Sequence, residues 1–195
     1  RGEVSGQPIE EADGTVVFAV FGGGKDFNPT TGTGGIIAPP AAVIEAFFDQ
    51  KALSTWWEVQ RSLCVPRPLG SYAVEWETTE WKDPILGRLG GALHGMVMEY
   101  KPGREFFLAD AFWLPPDGAP IGPMALEVRC GKHAWGSQLH VRQSGFEDSP
   151  RWRRYYEVIT PGWERALGLL KDLLEGTTTA AGASGSLSGP SRGPG

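Results

Sequence analysis

The chain has 195 residues, of which 41% are hydrophobic and 21% are charged, and its formal net charge is −5. This length and composition predict one globular domain with additional residues at its ends. The acidic balance offers no basic surface to neutralise phosphates, so we expect no binding to nucleic acid. No apolar stretch approaches the roughly 20 residues of a membrane-spanning helix, so we expect no membrane span.

The cysteine content indicates the compartment. Cys64 and Cys130 are the two cysteines of the chain, and a secreted domain stabilised by disulfides carries more. We therefore expect reduced thiols in a cytoplasmic protein, although a single bridge between the two stays open. The apolar run at residues 16–21 is too short for a signal peptide and follows acidic residues. Because the chain begins with Arg1, we expect a fragment or a processed product.

The two ends of the chain differ in composition from the middle. Residues 1–30 are glycine-rich and uneven, and we treat them as an N-terminal extension of uncertain structure, with a strand over residues 16–21. Residues 31–176 carry the periodic patterns of a folded domain. Residues 177–195 are rich in Gly, Ser and Pro with one charged side chain, so we predict a disordered tail.

Two short helices are predicted near the start of the domain. An apolar face with i, i+3, i+4 spacing follows a pair of prolines, which the first turn of a helix tolerates. This face consists of Val43, Ala46 and Phe47. Asp49 ends this helix or caps the next one, which we predict over residues 51–57. Trp56 and Trp57 cannot both face inward, so we expect one of them inside and the other at the surface or a cavity mouth.

A run of antiparallel strands is predicted next, because apolar and polar residues alternate with a period of two and the intervening segments contain turn-forming Pro-Gly and Asp-Gly pairs. The strands centre on residues 72–76, 96–99, 106–113, 124–130 and 139–142. The third of them is apolar on both faces except at Asp110, which we expect to face water. Its outer side therefore needs cover from the N-terminal segment, a second copy of the chain or a partner.

A long helix ends the domain. Ser149 is a good N-cap, Pro150 suits the first helical position, and Gly176 suits the position that ends a helix. Pro161 lies inside, so we predict a kink or a division into two helices near Ile159. The apolar stripe consists of Tyr156, Ile159, Trp163, Ala166, Leu167, Leu170, Leu173 and Leu174.

This order of elements predicts the α+β class and a helix-grip fold. The stripe of the last helix must be buried, and the concave face of a twisted antiparallel sheet is the available surface. We expect a curved sheet wrapped around the C-terminal helix, with the two short helices after the first strand. A helix laid across a curved sheet leaves a space between them. Whether this space is hollow or filled decides the function.

Several short motifs resemble one known family. In order they are residues 36–49 followed by Trp56-Trp57, residues 68–72, the Gly-x-Val-x-Glu strand at residues 95–102, residues 144–146 and the Gly-Trp helix at residues 162–167. Together they resemble bacterial proteins similar to the C-terminal domain of the Hsp90 ATPase activator Aha1 (AHSA1-like proteins). These belong to the START/polyketide-cyclase-like superfamily, also called SRPBCC or Bet v 1-like. The resemblance covers about residues 36–176, and Gln143 stands where many relatives carry a histidine.

The resemblance implies a helix-grip fold with a cavity between sheet and helix. Known members of the superfamily bind lipids, sterols or polyketides, some catalyse cyclisation or hydrolysis, and some bind a chaperone. Three functions therefore stay open: binding of a hydrophobic small molecule, a protein-interaction module that stimulates a chaperone or another partner, and a cyclase or hydrolase that uses a cavity acid or base. A homodimer is also open.

The alternation of the strands, the stripe of the last helix and the adjacent pair of tryptophans predict which side chains line such a cavity, if it is not a solid core. They are Trp57, Tyr72, Trp76, His94, Met96, Met98, Leu126, Leu139, Val141 and Trp163. The enzyme alternative has three candidate groups, His94, Glu99 and Asp110, and no catalytic motif is recognised. The histidines share no ligand spacing with one another or with a cysteine, so we expect neither a metal site nor a cofactor.

Overall fold

The computed structural model describes residues 9–10, 16–20, 34–134 and 136–176. The predicted tail, residues 177–195, and most of residues 1–30 lie outside this part of the chain. The strands are β1 (Ile9–Glu10), β2 (Val16–Val20), β3 (Gly34–Ile36), β4 (Arg61–Cys64), β5 (Gly70–Trp76), β6 (Lys82–Asp83), β7 (Gly87–Arg88), β8 (Gly91–Lys101), β9 (Glu105–Leu114), β10 (Ile121–His133) and β11 (Gly136–Ser144). The helices are α1 (Pro40–Glu45), α2 (Gln50–Trp56) and α3 (Pro150–Glu175).

One large antiparallel sheet organises the fold. Its strand order is β1-β2-β11-β10-β9-β8-β5-β4, and β3 pairs with the other half of β11. The strand predicted at residues 16–21 is confirmed as β2, which pairs with the end of β11 through Val20 and Val141. The long helix α3 packs against α2, β2 and β3, and its buried side chains join those of the strands in one core. The chain therefore has the predicted α+β helix-grip fold.

A β-bulge at Asp110 bends the sheet. Leu108 pairs with Leu126 of β10 and Ala111 pairs with Met124, so β9 carries one more residue than β10 between these pairs. Asp110 has a φ of 52° in the left-handed region, which aspartate tolerates better than most residues. The bulge also changes which residues face the core. Before it the buried residues are Phe106 and Leu108, and after it they are Ala111 and Trp113.

The bulge explains why apolar residues occupy both sets of alternating positions in the sequence of β9. One set of its apolar residues faces the core before Asp110 and the other set does so after it. On the outer face, Phe107 and Phe112 are half-buried, and the ring of Phe112 stacks on His94 with centroids 5.7 Å apart. Asp110 itself is exposed, as predicted.

The first part of the core is a packed aromatic cluster under α1 and the turn that follows it. The cluster consists of Phe47, Phe48, Tyr72, Tyr100 and Phe106, with ring centroids between 4.9 and 6.1 Å apart. Tyr72 is fully buried, and its hydroxyl donates to the carbonyl of Phe47 at 2.9 Å. Asp49 caps α2 by accepting from the amide of Ala52 at 2.7 Å. This cap and the cluster fix α1 and α2 against the sheet.

Helix α3 begins and ends where the sequence predicts. The hydroxyl of Ser149 accepts from the amide of Trp152, Pro150 is the first helical residue, and Gly176 adopts a left-handed φ of 69°. The helix runs without a break through Pro161, so the predicted division near Ile159 is wrong. Tertiary packing outweighs the local cost of the proline, because buried side chains precede and follow it on the same face.

Several short strands were not predicted from the sequence, among them β4, β6 and β7. The hairpin of β6 and β7 is held to α3 by Asp83, whose side chain is fully buried. Its carboxylate accepts from the amides of Ile85 and Leu86 at 2.8 and 2.9 Å and from the guanidinium of Arg154 at 2.8 Å.

None of the helices in the described part of the chain combines the length and apolarity that a membrane crossing requires.

Candidate functional site

A cavity of about 530 Å³ lies between α3 and the sheet. The end of α2 closes one side, the hairpin of β6 and β7 closes another, and the ends of β5, β8, β9 and β11 form the floor. On α3, positions 155, 162 and 169 are seven residues apart and so share a face. The apolar lining residues are Trp56, Trp57, Trp76, Leu86, Leu89, Gly90, Leu93, Trp113, Val158, Ile159, Gly162, Trp163, Ala166 and Leu169.

Five tryptophans line this cavity, and hydrogen bonds hold four of them in place. The indole N–H groups of Trp56, Trp76 and Trp113 donate to the backbone carbonyls of Ala46, Trp57 and Gly90 at 2.8 to 2.9 Å. Trp163 donates to a side chain described below. Trp57 packs between Trp76 and Trp163, with centroids 5.1 and 4.8 Å away. Hydrogen bonds to the protein therefore hold the indole rings in place, and the rings do not need to fill the cavity in order to be fixed.

A small polar cluster lies in the wall among these rings. The indole N–H of Trp163 donates to Oε1 of Gln143 at 3.0 Å. Nε2 of the same amide contacts the hydroxyl of Tyr155 at 3.1 Å and the sulfur of Met124 at 3.1 Å. Gln143 and Tyr155 are only 7% and 5% exposed, and both line the cavity. Burial raises the pKa of Tyr155 well above its ordinary value, while the hydrogen bond with Gln143 acts weakly in the opposite direction. This hydroxyl therefore stays protonated.

Charged side chains lie at the mouth of the cavity. Glu58, Glu77 and Arg165 are exposed and line it. The guanidinium of Arg165 and the carboxylate of Glu58 form an ion pair at 2.6 Å, which links α3 to the residues after α2. Since both partners are more than half exposed, this pair adds little stability. The mouth carries two carboxylates and one guanidinium, so its formal charge is negative.

The hairpin of β6 and β7, with the residues that follow it, forms another part of the rim of the cavity. Leu86 follows the buried Asp83 and is itself 2% exposed, and Leu89 and Gly90 continue the lining. Burial alone would raise the pKa of Asp83, but the amides of Leu86 and Ile85 and the guanidinium of Arg154 outweigh it, so the pKa lies below its ordinary value. The charged form of Asp83 therefore ties this rim to α3.

Three of the ten predicted lining residues lie in the cavity wall, namely Trp57, Trp76 and Trp163. Four others face the same side of the sheet but are buried in the packed core, away from the cavity: Tyr72, Leu126, Leu139 and Val141. Of the adjacent pair, Trp56 is fully buried and Trp57 is half-buried, which agrees with the expected division between inside and mouth.

The prediction was wrong for His94, Met96 and Met98. Met96 and Met98 are 43% and 47% exposed, and His94 is exposed beside them on the outer face of β8. The inward residues of this strand are Leu93 and Val97. Both faces of β8 carry apolar side chains, and alternation alone does not say which face is inside.

The candidate groups of the enzyme alternative also lie elsewhere. His94, Glu99 and Asp110 are all exposed, and none of them lines the cavity. Within the residues that the structure describes, no group of three His, Cys, Asp or Glu side chains is placed to hold a metal ion. Cys64 and Cys130 are free thiols, so the open alternative of a bridge between them is wrong. Burial raises the pKa of each to about 11.

Sequence reasoning missed the polar cluster and most of the lining from β8, β9 and α3. One signal was available for Gln143, because it continues the inward alternation of Leu139 and Val141 along β11. A polar residue on an inward face needs a partner or a function. The contributions of Leu86 and Leu89 were not accessible, since the hairpin that positions them is held by the contact between Asp83 and Arg154, 71 residues apart.

Comparison with solved structures finds the same fold in bacterial proteins. Protein MLL2253 from Mesorhizobium loti is 20% identical with a TM-score of 0.58, covering 85% of this chain and 99% of that one. Protein CV1439 from Chromobacterium violaceum is 24% identical with a TM-score of 0.52, covering 73% and 94%. The Aha1 dimer from Colwellia psychrerythraea is 15% identical with a TM-score of 0.53, covering 75% and 96%.

No family model and no curated protein matches the sequence. At these identities the likeness to solved structures concerns the fold, and fold alone does not define an activity. The comparisons therefore show a fold shared with these proteins, the Aha1 dimer among them, and assign the chain to no family.

Proposed function

We propose that the protein binds a hydrophobic small molecule, lipid-like or polyketide-like, in the cavity between the sheet and α3. The observation that carries this proposal is the cavity itself, about 530 Å³ with a wall of five tryptophans and few polar groups. Ligand sites of proteins are commonly apolar clefts of roughly 300 to 1,000 Å³ with a small number of placed polar groups. The cavity has both properties.

The half-exposed apolar side chains of the wall supply the driving force. The apolar residues of the wall that are only partly buried include Trp57, Trp76, Leu89, Ile159 and Leu169. A ligand that covers them removes apolar surface from water, which contributes about 25 cal/mol for each Å². The indole rings also stack on flat or aromatic ligands with defined geometry.

Two glycines of α3 offer a matched test. Gly162 lines the cavity, Gly168 does not, and a Cβ atom at either position would meet nothing within 4 Å. We expect Gly162→Phe to obstruct the cavity and weaken binding of the neutral fluorescent probe N-phenyl-1-naphthylamine, measured by fluorescence titration. Gly168→Phe introduces the same side chain into the same helix and should bind the probe like the unchanged protein.

Two results would contradict the proposal. One is failure of the unchanged, folded protein to bind the probe. The other is an equal loss of affinity in the two variants, which would attribute the effect to α3 in general rather than to the cavity. Circular dichroism of each variant checks that α3 is intact.

A second candidate function is protein interaction through the outer face of β8 and β9. Met96 and Met98 are nearly half exposed there, beside the half-buried Phe107 and Phe112. Exposed methionines are common at adaptable interaction surfaces. We take a second copy of the chain as the occupant, because one structural neighbour is a dimer.

Light scattering coupled to size-exclusion chromatography tests this candidate. A dimer that dissociates in the Met96→Lys, Met98→Lys double variant would support it. Since both side chains are exposed, the substitutions should not affect folding. A monomer at every concentration examined would remove self-association as the function of this face.

A further inference from the structure

The polar cluster in the cavity wall has only one consistent arrangement of hydrogen atoms. The indole N–H of Trp163 can only donate, so the atom of Gln143 that it contacts at 3.0 Å must be the amide oxygen. The amide nitrogen of Gln143 then faces the hydroxyl of Tyr155 at 3.1 Å and must donate to it. The Tyr155 oxygen is therefore an acceptor in this pair.

This arrangement leaves the hydroxyl proton of Tyr155 without an acceptor among the described residues. The hydroxyl oxygen accepts from Gln143, and the ring lines the cavity at 5% exposure. A buried donor without an acceptor is unfavourable, and a hydroxyl that already accepts a hydrogen bond becomes a stronger donor. An acceptor atom placed in the cavity beside Tyr155 would satisfy it.

The indole N–H of Trp57 is a second group in the cavity wall that can donate a hydrogen bond to a ligand. Among the five tryptophans of the cavity, the other four donate to protein acceptors. The N–H of Trp57 has no acceptor in the described part of the chain, although the side chain is half-buried in the wall. The acceptor of the polar cluster, Oε1 of Gln143, already accepts one hydrogen bond from Trp163. The polar side chains inside the wall thus offer donors to a ligand.

The charges of the site disfavour an anionic ligand. Arg165 is the one cationic residue among those that line the cavity, and it is paired with Glu58 at 2.6 Å. Glu77 adds a second carboxylate at the mouth. An ionised ligand group would have to leave water without a countercharge, which is costly in an apolar cavity.

We propose that the cavity selects uncharged apolar molecules that carry a carbonyl oxygen at their buried end, and that the Tyr155 hydroxyl donates a hydrogen bond to this oxygen. The inference rests on the proposed function, since it specifies which hydrophobic ligand the cavity accepts. It makes Tyr155 a specificity-determining residue, while Gln143 and Trp163 position its hydroxyl.

Benzophenone and diphenylmethane form a matched pair of probes, because they differ only by a carbonyl in place of a methylene group. Isothermal titration calorimetry gives the ratio of their dissociation constants for each protein. In Tyr155→Phe we expect benzophenone to lose affinity relative to diphenylmethane by roughly 3- to 10-fold, the value of one hydrogen bond. Using the change in this ratio cancels the different solubilities of the two probes in water.

Tyr156→Phe is the matched control. Tyr156 is the neighbouring buried tyrosine, its hydroxyl donates to the carbonyl of Gly145, and it does not line the cavity. We expect this variant to lose some stability and to leave the ratio of the two dissociation constants unchanged.

Infrared spectroscopy of the unchanged protein provides a measurement that does not depend on any variant. Difference spectra of bound benzophenone, with and without ¹³C at the carbonyl, isolate the C=O stretching band. A hydrogen bond from Tyr155 should lower its frequency relative to benzophenone in an apolar solvent. The band should return to a higher frequency in Tyr155→Phe.

The outcomes separate this inference from the proposed function. If both probes bind but the ratio is the same in Tyr155→Phe and the carbonyl band is unshifted, the inference is overturned and ligand binding stands. If neither probe nor N-phenyl-1-naphthylamine binds the unchanged protein, the proposed function fails and the inference with it.

Discussion

The space between the sheet and the helices is divided into a packed region and a hollow one, and both are built from aromatic residues. In the packed aromatic cluster, the rings of Phe47, Phe48, Tyr72 and Phe106 meet edge to face or stacked, and most are fully buried. In the cavity wall, the tryptophans stand around a volume of about 530 Å³. Aromatic content alone therefore does not decide whether a core is solid.

Two features of the sequence account for the hollow region. On α3, Gly162 and Ala166 face the cavity and bring little side-chain volume to it. On the opposite side, the indoles of Trp76 and Trp113 are held against the wall by their bonds to Trp57 and Gly90. These two indoles are fixed by hydrogen bonds, whereas side chains elsewhere in the core are fixed by close packing. The packed region thus contributes more to stability than the hollow region, which keeps an open volume beside α3.

The largest expected effect comes from truncating one leucine in each region. Leu170 is fully buried, whereas its neighbour on α3, Leu169, is half-buried and lines the cavity. We expect Leu170→Ala to lower the free energy of unfolding by about 2 to 5 kcal/mol, because it leaves a void in a packed core. Leu169→Ala should cost roughly 1 kcal/mol or less, because it enlarges a space that is already open to solvent. Urea denaturation measures both.

An equal loss in the two leucine variants would break the comparison, since it would mean that the cavity is closed and dry rather than open. A smaller loss for Leu169→Ala together with tighter binding of a bulky probe would sharpen it. Both variants retain a good helix former at the substituted position, so differences in helix propensity do not enter.

A smaller effect is expected for the polar tether of the hollow region. Oδ1 of Asp83 accepts from two amides and Oδ2 accepts from Arg154. In Asp83→Asn the amide NH₂ would face a donor in either orientation, so we expect a loss of stability below that of Leu170→Ala. The hairpin of β6 and β7 should also loosen, with faster hydrogen exchange at Leu86 and Leu89.

The same carboxylate predicts the direction of the pH dependence. The pKa of Asp83 is lower in the folded protein than its ordinary value of 3.8, so the unfolded chain binds the proton more readily. Its contribution to stability is therefore complete above pH 3.8 and is lost as the pH falls below that value toward the folded pKa. Acid unfolding followed by circular dichroism should show this loss in the unchanged protein. Asp83→Asn should flatten the curve in this range.

The sequence predicted the architecture because its signals are local. Alternation identified β5 and β8 to β11, and capping residues fixed both ends of α3 at Ser149 and Gly176. The site was predicted less well, since it depends on which face of a strand is inside. Alternation with Val97 and Glu99, and the ability of methionine to fit irregular apolar spaces, predict that Met96 and Met98 face the cavity. In the structure Leu93 and Val97 are the residues of β8 that face the core.

The packed region and the hollow region were also indistinguishable in the sequence. Tyr72 and Trp76 lie four residues apart on the same face of β5, yet Tyr72 belongs to the packed aromatic cluster and Trp76 to the cavity wall. The boundary between them is set by the position of α3 and by the long-range tether of Asp83 to Arg154. Periodicity predicts neither the position of α3 nor the contact between Asp83 and Arg154, because each depends on residues that are distant in the chain.

The smallest expected effect tests whether the helix over the cavity is strained. Gly162 follows Pro161 at the cavity, and Gly168 lies beyond it, and a Cβ atom at either position meets open space. Each Gly→Ala substitution should therefore stabilise the protein by about 0.5 to 1 kcal/mol through helix propensity. Thermal denaturation measures the gain in both variants. If Gly168→Ala is stabilising and Gly162→Ala is not, then α3 departs from regular geometry beside the cavity. In that case the hollow region would depend on the shape of the helix as well as on its small side chains.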